Sequence, residues 1–495
     1  MSVHPNMMRQ ALAGPPDQVC LRQPFATAQG GEGMTDITYR DLAHMTGRLA
    51  RGLLRHVQRG DRVGVLFAQD AWCAASHLAL WKIGAISVPL FTLFKRDALA
   101  SRIKDAGITH VLTDPLGATL LGDLAVPLMA ADLCEDGPGV KTVEDAEHAV
   151  IIYTSGTTGA PKGALHGHGL LQGHLPGVSL SHNHLGQPGD CLWTPADWAW
   201  IGGLFDVLMP GLAQGVPVIA YSPAKFDPAD TADRIARYGV RNVFFPPTAL
   251  RMLKAAGQAI PGLRSVASGG EPLGAEMLAW GQDAFGLTIN EFYGQTECNM
   301  VVSACAADFA TPPGCIGKSV PGFDVQIIDA AGHPTDAEGD IAIRRPAPSM
   351  MQGYWQNPEA TAQKFRGDWL LTGDRGVREG DYIRFLGRED DVITSSGYRI
   401  GPAEIEDCLL THPDVATVGV VGKPDPLRTE IVKAYVVAKK GCAPEPSELQ
   451  AWVKDRLAAY SYPREVELLD ALPMTVTGKV IRKELKARAA AEVFQ

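Results

Sequence analysis

The chain has 495 residues and a mass of 52.9 kDa, which is too long for one ordinary core and predicts two or more domains. Hydrophobic residues make up 46% of the chain, enough for well-packed interiors. The formal net charge of -10 and the pI near 5.7 argue against a general nucleic-acid-binding surface, so anionic substrates must be captured in a local basic pocket.

The cysteines and the apolar runs bear on the compartment. Nine cysteines are scattered without any Cys-x-x-Cys pair, which disfavours a zinc ribbon and a disulfide framework and fits a reducing cytoplasm. The N-terminal residues 1–13 lack the pattern of a secretion signal, and no apolar run approaches the roughly 18 residues of a membrane span. These features predict a cytoplasmic protein without a membrane-spanning segment.

Strands and helices alternate through the first half of the chain. Apolar residues recur at helical spacing, which predicts helices over 39–57 and 72–83. Short buried runs predict strands at 62–67, 109–113, 149–153, 216–220 and 243–245. This alternation is typical of a layered α/β domain with parallel sheets.

The pattern changes after residue 316. Short alternating runs with Gly and Pro turns predict a small β-rich subdomain over 316–345, with strands at 325–328 and 340–343. The charged, glycine-containing residues between 378 and 391 predict a hinge, and beyond it we expect a small α+β unit with helices at 403–411 and 447–458 and strands at 415–421 and 432–438. We therefore predict an N-terminal domain at 1–389 and a mobile C-terminal domain at 390–495.

The most informative segment runs from Tyr153 to Gly163, directly after an apolar run. Glycines let backbone N–H groups approach an anion, hydroxyls add donors or a magnesium ligand, and Lys162 supplies a movable positive charge. The segment is not a Walker A motif, which ends in Gly-Lys followed by Ser or Thr, because Lys162 follows Pro161 and precedes Gly163. The segment predicts a phosphate-holding loop formed by Thr154, Ser155, Gly156, Thr157, Thr158, Gly159 and Lys162; a flexible surface loop is the alternative.

Further segments follow this loop in a fixed order: Tyr293-Gly294-Gln295-Thr296-Glu297, Leu371-Thr372-Gly373-Asp374, a run from Gly387 through Ser396-Gly397-Tyr398-Arg399 to Glu404, and Pro473-Met474-Thr475-Val476-Thr477-Gly478-Lys479. Together they resemble the adenylate-forming superfamily of acyl-CoA synthetases, luciferases and peptide-synthetase adenylation domains. Within it, residues 391–399 are most similar to medium-chain and acetyl-type acyl-CoA synthetases. The resemblance implies a large N-terminal domain of layered α/β sheets with a β-rich subdomain, and a small mobile α+β C-terminal domain.

The resemblance also implies an ATP- and Mg²⁺-dependent ligase that joins a small carboxylic acid to coenzyme A. In its first half-reaction the carboxylate attacks the α-phosphate of ATP, and cations must offset the repulsion between the two anions. Lys479 would bridge the carboxylate and the α-phosphate, Lys162 would hold the outer phosphates, and Thr157 and Glu297 would bind the metal. Read alone, Lys479 is a surface lysine, and only the surrounding motif assigns it a catalytic role.

Asp374 matches the ribose-binding aspartate of the family, since one carboxylate can accept hydrogen bonds from both ribose hydroxyls, and Arg388 would add a second contact. Read alone, Asp374 is a turn aspartate after glycine. The residues that would wrap the adenine match two further stretches of the family. These are Gly270, Glu271 and Pro272 in the first and Glu291, Phe292, Tyr293, Gly294, Gln295 and Thr296 in the second.

The second half-reaction needs a thiol at the same carbonyl, which one rigid site cannot easily provide. The family rotates its C-terminal domain, and Asp390 corresponds to the hinge residue here. The rotation would bring Ser396, Gly397, Tyr398 and Arg399 to the pantetheine channel, and Ser461 resembles another coenzyme A contact, although a turn before a helix explains it equally well. A lysine acetyltransferase and deacetylase acting on Lys479 are possible partners, because the motif exposes this charge on a mobile domain.

The residues that match the acyl pocket are Trp198, Trp200, Gly202, Phe244 and Gly294. Acetate-specific relatives carry tryptophan immediately before the Gln-Thr-Glu triplet, whereas this chain has Gly294. We therefore predict an open pocket floor and a medium-chain, branched or aromatic acid, unless Trp198 or Trp200 refills the space. The alternatives are an acetyl- or propionyl-CoA synthetase, an ATPase or kinase that forms ADP, and a non-catalytic acyl-nucleotide-binding protein.

Four histidines and one cysteine outside these roles are candidates for metal binding and for thiol chemistry. His166, His168, His182 and His184 suggest a metal site, but no acidic or cysteine partner accompanies them at a recurring spacing, so we expect none. Cys298 stands beside Glu297, and we expect a buried, inert thiol rather than a reactive one.

Overall fold

The computed structural model describes residues 5–27, 31–154, 161–223, 225–388, 391, 393–395, 398–425, 428–457, 462–475 and 478–492, with the backbone alone at 394, 398, 399 and 404. Across these residues, no helix combines the length and the apolar character needed to cross a bilayer.

The strands of the described residues are short and numerous. In chain order they are β1 Val19–Ala26, β2 Glu32–Thr38, β3 Arg62–Leu66, β4 Ile86–Pro89, β5 His110–Thr113, β6 Val126–Met129, β7 Val150–Tyr153, β8 Gly163–His166, β9 Leu192–Trp193, β10 Val218–Ile219, β11 Asn242–Phe244, β12 Ser265–Gly269, β13 Asn290–Tyr293, β14 Val302–Ser303, β15 Cys315–Ser319, β16 Val325–Ile328, β17 Gly339–Arg344, β18 Gly353–Tyr354, β19 Phe365–Arg366, β20 Trp369–Glu379, β21 Tyr382–Arg388, β22 Ile393–Ser395, β23 Tyr398–Ile400, β24 Val415–Asp425, β25 Thr429–Ala438 and β26 Glu465–Leu468.

The helices lie between them. In chain order they are α1 Met7–Ala11, α2 Tyr39–Leu53, α3 Ala71–Ile83, α4 Arg96–Ala106, α5 Pro115–Leu121, α6 Gly169–Ser181, α7 Ile201–Gly203, α8 Met209–Ala213, α9 Pro228–Tyr238, α10 Pro247–Ala255, α11 Ala275–Phe285, α12 Pro358–Gln363, α13 Pro402–Leu410, α14 Pro446–Lys454 and α15 Arg482–Ala491. A π-helical segment, Leu204–Leu208, joins α7 to α8.

Local sequence signals explain the predicted helices. Helix α2 begins with a capping box, in which Thr38 and Asp41 satisfy each other's backbone N–H groups, and its apolar stripe faces the core. Helix α3 is buried on nearly every face, begins at the Asp70 cap and ends at Gly84, whose φ of 76° few other residues adopt. Both predicted helices are confirmed, although α2 ends at Leu53 rather than at residue 57.

Two sheets carry the N-terminal part of the fold. The seven-stranded sheet has the order β18-β8-β7-β4-β3-β5-β6, with β4, β3, β5 and β6 parallel. The fourteen-stranded sheet runs β16-β17-β20-β21-β15-β14-β13-β12-β11-β9-β10-β1-β2, with β19 beside β20. Its central strands β9, β11, β12 and β13 are parallel, so their carboxyl ends share one edge. Strands β14 to β17 and β19 to β21 pair antiparallel and form the predicted β-rich part.

The charged, glycine-containing residues between 378 and 391, which predicted a hinge, lie in two different places in the fold. Residues 378–381 form the turn between β20 and β21 inside the large sheet, so a hinge at this position is wrong. Glycine and charged residues mark tight hairpin turns as well as interdomain linkers, and only strand pairing distinguishes them. The second part follows β21, and the strands beyond it form a separate five-stranded sheet, β23-β22-β25-β24 with β26 beside β25.

The C-terminal unit has its own core. Ile393, Ile405, Val420, Val432 and Leu449 pack together between the small sheet and helices α13 and α14. The predicted layered α/β domain with a small α+β domain is therefore confirmed.

Candidate active site

The predicted phosphate loop connects the two strands of a hairpin. Strands β7 and β8 pair antiparallel with Tyr153 opposite Gly163, and the Thr154 amide N–H donates to the Lys162 carbonyl oxygen at 3.0 Å. This bond fixes the base of the loop at the carboxyl end of buried strand β7. Residues 155–159 lie outside the described residues, so the roles of Ser155, Gly156, Thr157, Thr158 and Gly159 stay predictions.

Lys162 and Glu297 meet at one aromatic side chain. The Lys162 Nζ atom lies 5.3 Å from the centre of the Tyr354 ring, and the Tyr354 hydroxyl donates to Glu297 Oε1. Burial and the nearby Glu297 raise the pKa of Tyr354, so the phenol remains a donor. Motif reasoning missed Tyr354, which stands 57 residues beyond Glu297.

Asp374 lies at the meeting of three segments. It is 8% exposed, pairs in register with Arg388 across β20 and β21, and its Oδ2 atom accepts from the Tyr293 hydroxyl at 2.5 Å. The Tyr293-to-Glu297 segment is held to the same strand by a second bond, from Gln295 Nε2 to the Thr372 carbonyl oxygen at 3.1 Å. The structure thus brings together the predicted ribose and adenine residues.

Lys364 joins the segment that contains Gln295 to strand β20, and the sequence motifs did not indicate this role. Its Nζ atom lies 2.8 Å from Gln295 Oε1, 3.1 Å from the Leu371 carbonyl oxygen and 3.2 Å from that of Thr372. One ammonium group therefore holds both motifs. No sequence signal distinguishes it from the other lysines, because its partners are carbonyl and amide oxygens.

The two predicted adenine stretches lie side by side. Gly270, Glu271 and Pro272 follow strand β12, and Glu291, Phe292 and Tyr293 belong to the parallel strand β13, with Gly269 opposite Phe292. The Leu273 amide N–H donates to Glu291 Oε1 at 3.0 Å, which ties one stretch to the other. Burial, and secondarily the nearby Asp407, raise the pKa of Glu291 to about 7.

Lys479 reaches the adenine stretch from the C-terminal unit. Its Nζ atom donates to the Gly270 carbonyl oxygen at 2.9 Å, and its backbone is held by Thr475 Oγ1 at 3.0 Å. The preceding Gly478 has φ of 81° and packs so close to Thr248 that a Cβ atom would lie 2.6 Å from Thr248 Oγ1. The ammonium group therefore stands at the edge that carries the other predicted nucleotide residues.

The residues predicted to face coenzyme A are described only in part. Strands β22 and β23 form a hairpin with position 394 opposite 399, and the backbone of Tyr398 and Arg399 lies in β23. Ser396, Gly397, Ser461 and Asp390 lie outside the described residues. Beside the predicted hinge, Asp391 accepts from Lys486 Nζ at 3.0 Å, which ties this point to helix α15.

Aromatic rings surround the predicted acyl pocket. Trp200 packs on Phe91 and Phe94 with ring centres 5.6 and 5.8 Å apart, and Phe244 lies 5.3 Å from Phe292. Trp198 is fully buried. A Cβ atom on Gly202 would lie 3.0 Å from the Phe244 ring, so the glycine keeps space open beside that ring.

Gly294 does not open the pocket floor in the way the sequence suggested. A Cβ atom built on it would lie 2.2 Å from the Met300 backbone nitrogen and 2.8 Å from the Asn299 carbonyl carbon. The glycine is needed because another backbone segment approaches closely, and that segment fills the direction a side chain would take. The inference of an open floor from the missing side chain is therefore wrong, while the glycine's place beside the pocket stays a prediction.

The other histidines and Cys298 have ordinary surroundings. His166 Nε2 lies 2.9 Å from the Thr296 carbonyl oxygen, and burial lowers the pKa of His166 to about 3. Cys298 is fully buried, and burial raises the pKa of its thiol to about 12, which confirms an inert cysteine. His184 Nε2 lies 2.8 Å from Asp308 Oδ1 and 4.0 Å from Cys305 Sγ, and these partners stand at no recurring spacing in the sequence.

Comparisons with known proteins agree with this geometry. The model of the AMP-binding enzyme family matches residues 8–355, and that of the AMP-binding enzyme C-terminal domain matches residues 404–479. The chain is 33% identical to acetyl-coenzyme A synthetase of Bacillus subtilis, over 91% of this chain and 84% of that protein. It is 38% identical to the mitochondrial acyl-coenzyme A synthetase ACSM2B of Homo sapiens, over 87% and 80% respectively.

A solved structure extends the similarity to three dimensions. The ATP-bound MatB of Rhodopseudomonas palustris superposes with a TM-score of 0.85 at 27% identity, covering 99% of both chains. The chain therefore belongs to the AMP-binding enzyme family and is an AMP-forming acyl-CoA synthetase that binds ATP.

Proposed function

We propose that the protein activates a carboxylic acid larger than acetate in two half-reactions. In the first, the carboxylate oxygen attacks the α-phosphorus of ATP, and pyrophosphate leaves as the acyl-adenylate forms. In the second, the thiol of coenzyme A attacks the acyl carbonyl, the thioester forms and AMP leaves with its phosphate oxygen. The substrate class is an apolar acid of medium length, branched or aromatic.

The contact between Lys479 and Gly270 carries the proposal. An ammonium group 2.9 Å from a carbonyl at the adenine stretch is near enough to the nucleotide edge to move onto an α-phosphate when ATP binds. The carbonyl holds the lysine in place without neutralising it. A positioned charge of this kind lowers the barrier between two anions, whereas a non-catalytic binding protein has no need of it. A kinase would differ in its product, because it forms ADP rather than AMP.

The remaining predicted nucleotide residues fit this arrangement. Lys162 and Glu297 meet at Tyr354 and would take the outer phosphates and the metal, while Asp374 and Arg388 would take the ribose. Glu297 offers hard carboxylate oxygens, oriented by the Tyr354 hydroxyl, which suits Mg²⁺, and Thr157 would be the second protein ligand. The metal would neutralise phosphate charge.

The size of the acid is inferred from the pocket walls rather than from Gly294. The Trp200, Phe91 and Phe94 cluster and the Phe244–Phe292 pair supply a large apolar surface. Aromatic walls of this extent suit an acid with several carbons or a ring. Acetate would cover little of this apolar surface. Each further methylene group of a longer acid would contribute about 0.8 kcal/mol to binding when it is buried.

The test supplies ATP, Mg²⁺ and coenzyme A with acetate, butyrate, hexanoate, octanoate, isobutyrate, benzoate and methylthio-propionate. Chromatography resolves AMP, ADP, pyrophosphate and acyl-CoA. We expect AMP, pyrophosphate and a thioester in equal amounts with the larger acids. Turnover of acetate alone would instead support a short-chain synthetase, and ADP or no turnover would overturn the proposed reaction.

A further inference from the structure

A buried acid, Asp206, lies beneath the predicted acyl pocket. It stands in the middle of the π-helical segment Leu204–Leu208, and 3% of its side chain is exposed. Segments of π-helix are rare and occur frequently at functional sites, where they reorient a side chain. The proposed reaction as described above leaves Asp206 without a role.

Only one oxygen of this carboxyl group is satisfied. Asp206 Oδ1 accepts from Asn299 Nδ2 at 2.7 Å and lies 3.2 Å from His174 Nδ1. His174 Nδ1 also lies 2.7 Å from the Phe205 carbonyl oxygen, which can only accept, so this nitrogen carries the proton. Among the described residues, no donor contacts Asp206 Oδ2.

The second oxygen lies on the side of the helical segment that carries Gly202, a predicted acyl-pocket residue. A Cβ atom placed on Gly202 would lie 3.6 Å from Asp206 Oδ2 and 3.0 Å from the Phe244 ring, so the space beside Gly202 is bounded by the carboxyl group and the aromatic wall. The partner Asn299 belongs to the backbone segment that packs against Gly294. Gly202 and the Phe244 ring beside it thus lie on the side of Oδ2, and Asn299 connects the carboxyl group to the segment that packs on Gly294.

The charge state of Asp206 limits what can bind it. The polar groups facing it are His174 and Asn299, and burial raises its pKa. A ligand group that covered this oxygen without a hydrogen bond would leave a buried acceptor unsatisfied, which is costly, so the group that contacts it should be polar. A hydroxyl group can donate to a carboxylate and accept from a carboxylic acid, whereas a methylene group can do neither.

We propose that Asp206 selects acids that carry a hydroxyl group at the end remote from the reacting carboxylate. The pocket then combines aromatic walls with one polar anchor beyond Gly202. This inference rests on the proposed ligase function and narrows its substrate class. Asp206 is a specificity residue that touches the distal part of the acyl group, not a residue that takes part in bond making.

The test compares matched pairs of acids that differ by one hydroxyl group. The pairs are butyrate with 4-hydroxybutyrate, hexanoate with 6-hydroxyhexanoate, and benzoate with 3- and 4-hydroxybenzoate. In the unmodified enzyme we expect at least one hydroxylated acid to exceed its partner in kcat/KM by about 10-fold or more, because a buried polar group penalises an apolar substitute.

Two variants separate selectivity from folding. Asp206→Leu should abolish the preference for the hydroxylated acid while the unsubstituted acid is still activated. Gly202→Ala keeps Asp206 but covers its Oδ2 atom. It should lower the ratio of kcat/KM for the hydroxylated acid to kcat/KM for its unsubstituted partner, and it provides the test if Asp206→Leu fails to fold. As a control for altering a buried acid elsewhere, Asp340→Asn changes a residue that is 6% exposed in the β-rich part and pairs with Arg366 and Arg375, and it should leave this kcat/KM ratio unchanged.

The outcomes distinguish the two proposals. If no acid of either kind yields AMP and pyrophosphate, the proposed function fails. If unsubstituted acids are activated but hydroxylation never helps, or if the ratio stays within about two-fold in both variants, then Asp206 is a structural acid and the inference is wrong.

Discussion

Lys479 shows how the role predicted for a residue depends on its surroundings. As an exposed lysine it would be unremarkable in charge and setting, yet its ammonium group donates to the carbonyl oxygen of Gly270, in the stretch predicted to contact adenine. The contact is a single hydrogen bond to a neutral acceptor, so it can exchange for a phosphate oxygen at little cost. The same exposure leaves the amine open to acylation, which would remove its charge.

We predict that Lys479→Gln, which imitates an acetylated side chain, lowers carboxylate-dependent exchange of pyrophosphate into ATP by about 10²–10³-fold. The reason is the loss of one positioned charge at the attacked phosphate. Thioester formation from a preformed acyl-adenylate should be retained. Lys483→Gln, on an exposed position four residues further on, is the control and should exchange normally. Equal exchange in both variants would remove Lys479 from the first half-reaction.

Glu291 illustrates the cost of placing an acid in a nucleotide site. Its pKa is raised from 4.5 to about 7 by burial, with Asp407 of the C-terminal unit adding to the shift. The folded protein therefore binds more protons at this group than the unfolded chain between about pH 4.5 and 7. The free energy of unfolding consequently falls as the pH rises through that window.

Glu291→Gln should remove this pH dependence. We expect its Tm to be close to that of the unmodified protein at pH 4.5 and to exceed it by about 2–4 °C at pH 8, equivalent to about 3 kcal/mol for a chain of 495 residues. Thermal denaturation at several pH values measures the difference. Asp283→Asn, on an exposed position of α11, should give superimposable curves. A Tm difference that does not vary with pH would show that the Glu291 carboxylate is not destabilised by burial.

At the scale of elements, the turn before Lys479 positions the lysine. Gly478 adopts φ of 81° and contacts Thr248 at the start of α10, so the turn fits only with hydrogen as its side chain. The site is thus assembled by contact between a C-terminal turn and an N-terminal helix, and each element is ordinary when considered alone.

Gly478→Ala should lower pyrophosphate exchange by about 10-fold or more, because a Cβ atom 2.6 Å from Thr248 Oγ1 displaces the turn and with it Lys479. Gly441→Ala is a matched control, since Gly441 has φ of 87° but no heavy atom within 4 Å of the added carbon. Both changes strain the backbone by about 1–2 kcal/mol. Only the first should affect adenylation, and equal activity in both variants would contradict the positioning role of this turn.

At the scale of the whole molecule, the two units are in contact where Lys479 donates to the Gly270 carbonyl oxygen. The hairpin predicted to face coenzyme A belongs to the separate small sheet, and a rotation of that unit to present the hairpin stays a prediction. Asp390 lies outside the described residues, and its role as the hinge stays a prediction.

Asp390→Pro tests that role, because proline fixes φ and removes one backbone N–H group. We expect pyrophosphate exchange to remain within a few-fold of normal and the overall formation of acyl-CoA to fall by about 10²-fold, since only the second half-reaction needs rotation. Asp390→Ala keeps the backbone free and should support both half-reactions. Equal loss of both activities in the proline variant would place the pivot elsewhere.

The sequence by itself determined helices α2, α3, α13 and α14, buried strands such as β3, β5, β7, β24 and β25, the layered fold with a small second domain, and the family. Periodicities of 3.6 and 2 depend on residues close in the chain, as in α2 and in β3, and ordered motifs identify a family without coordinates. The phosphate-loop role of residues 154–162 and the catalytic role of Lys479 were predicted in this way and stay predictions.

Only the tertiary structure decided which residues meet. The Tyr354 contact with Glu297, the bracing by Lys364 and the approach of Asp308 to His184 join residues 57, 69 and 124 positions apart. The close backbone that requires Gly294 and the unpartnered oxygen of Asp206 likewise follow from packing. Such contacts are set by the arrangement of distant strands and helices, which a local pattern of residue types does not encode.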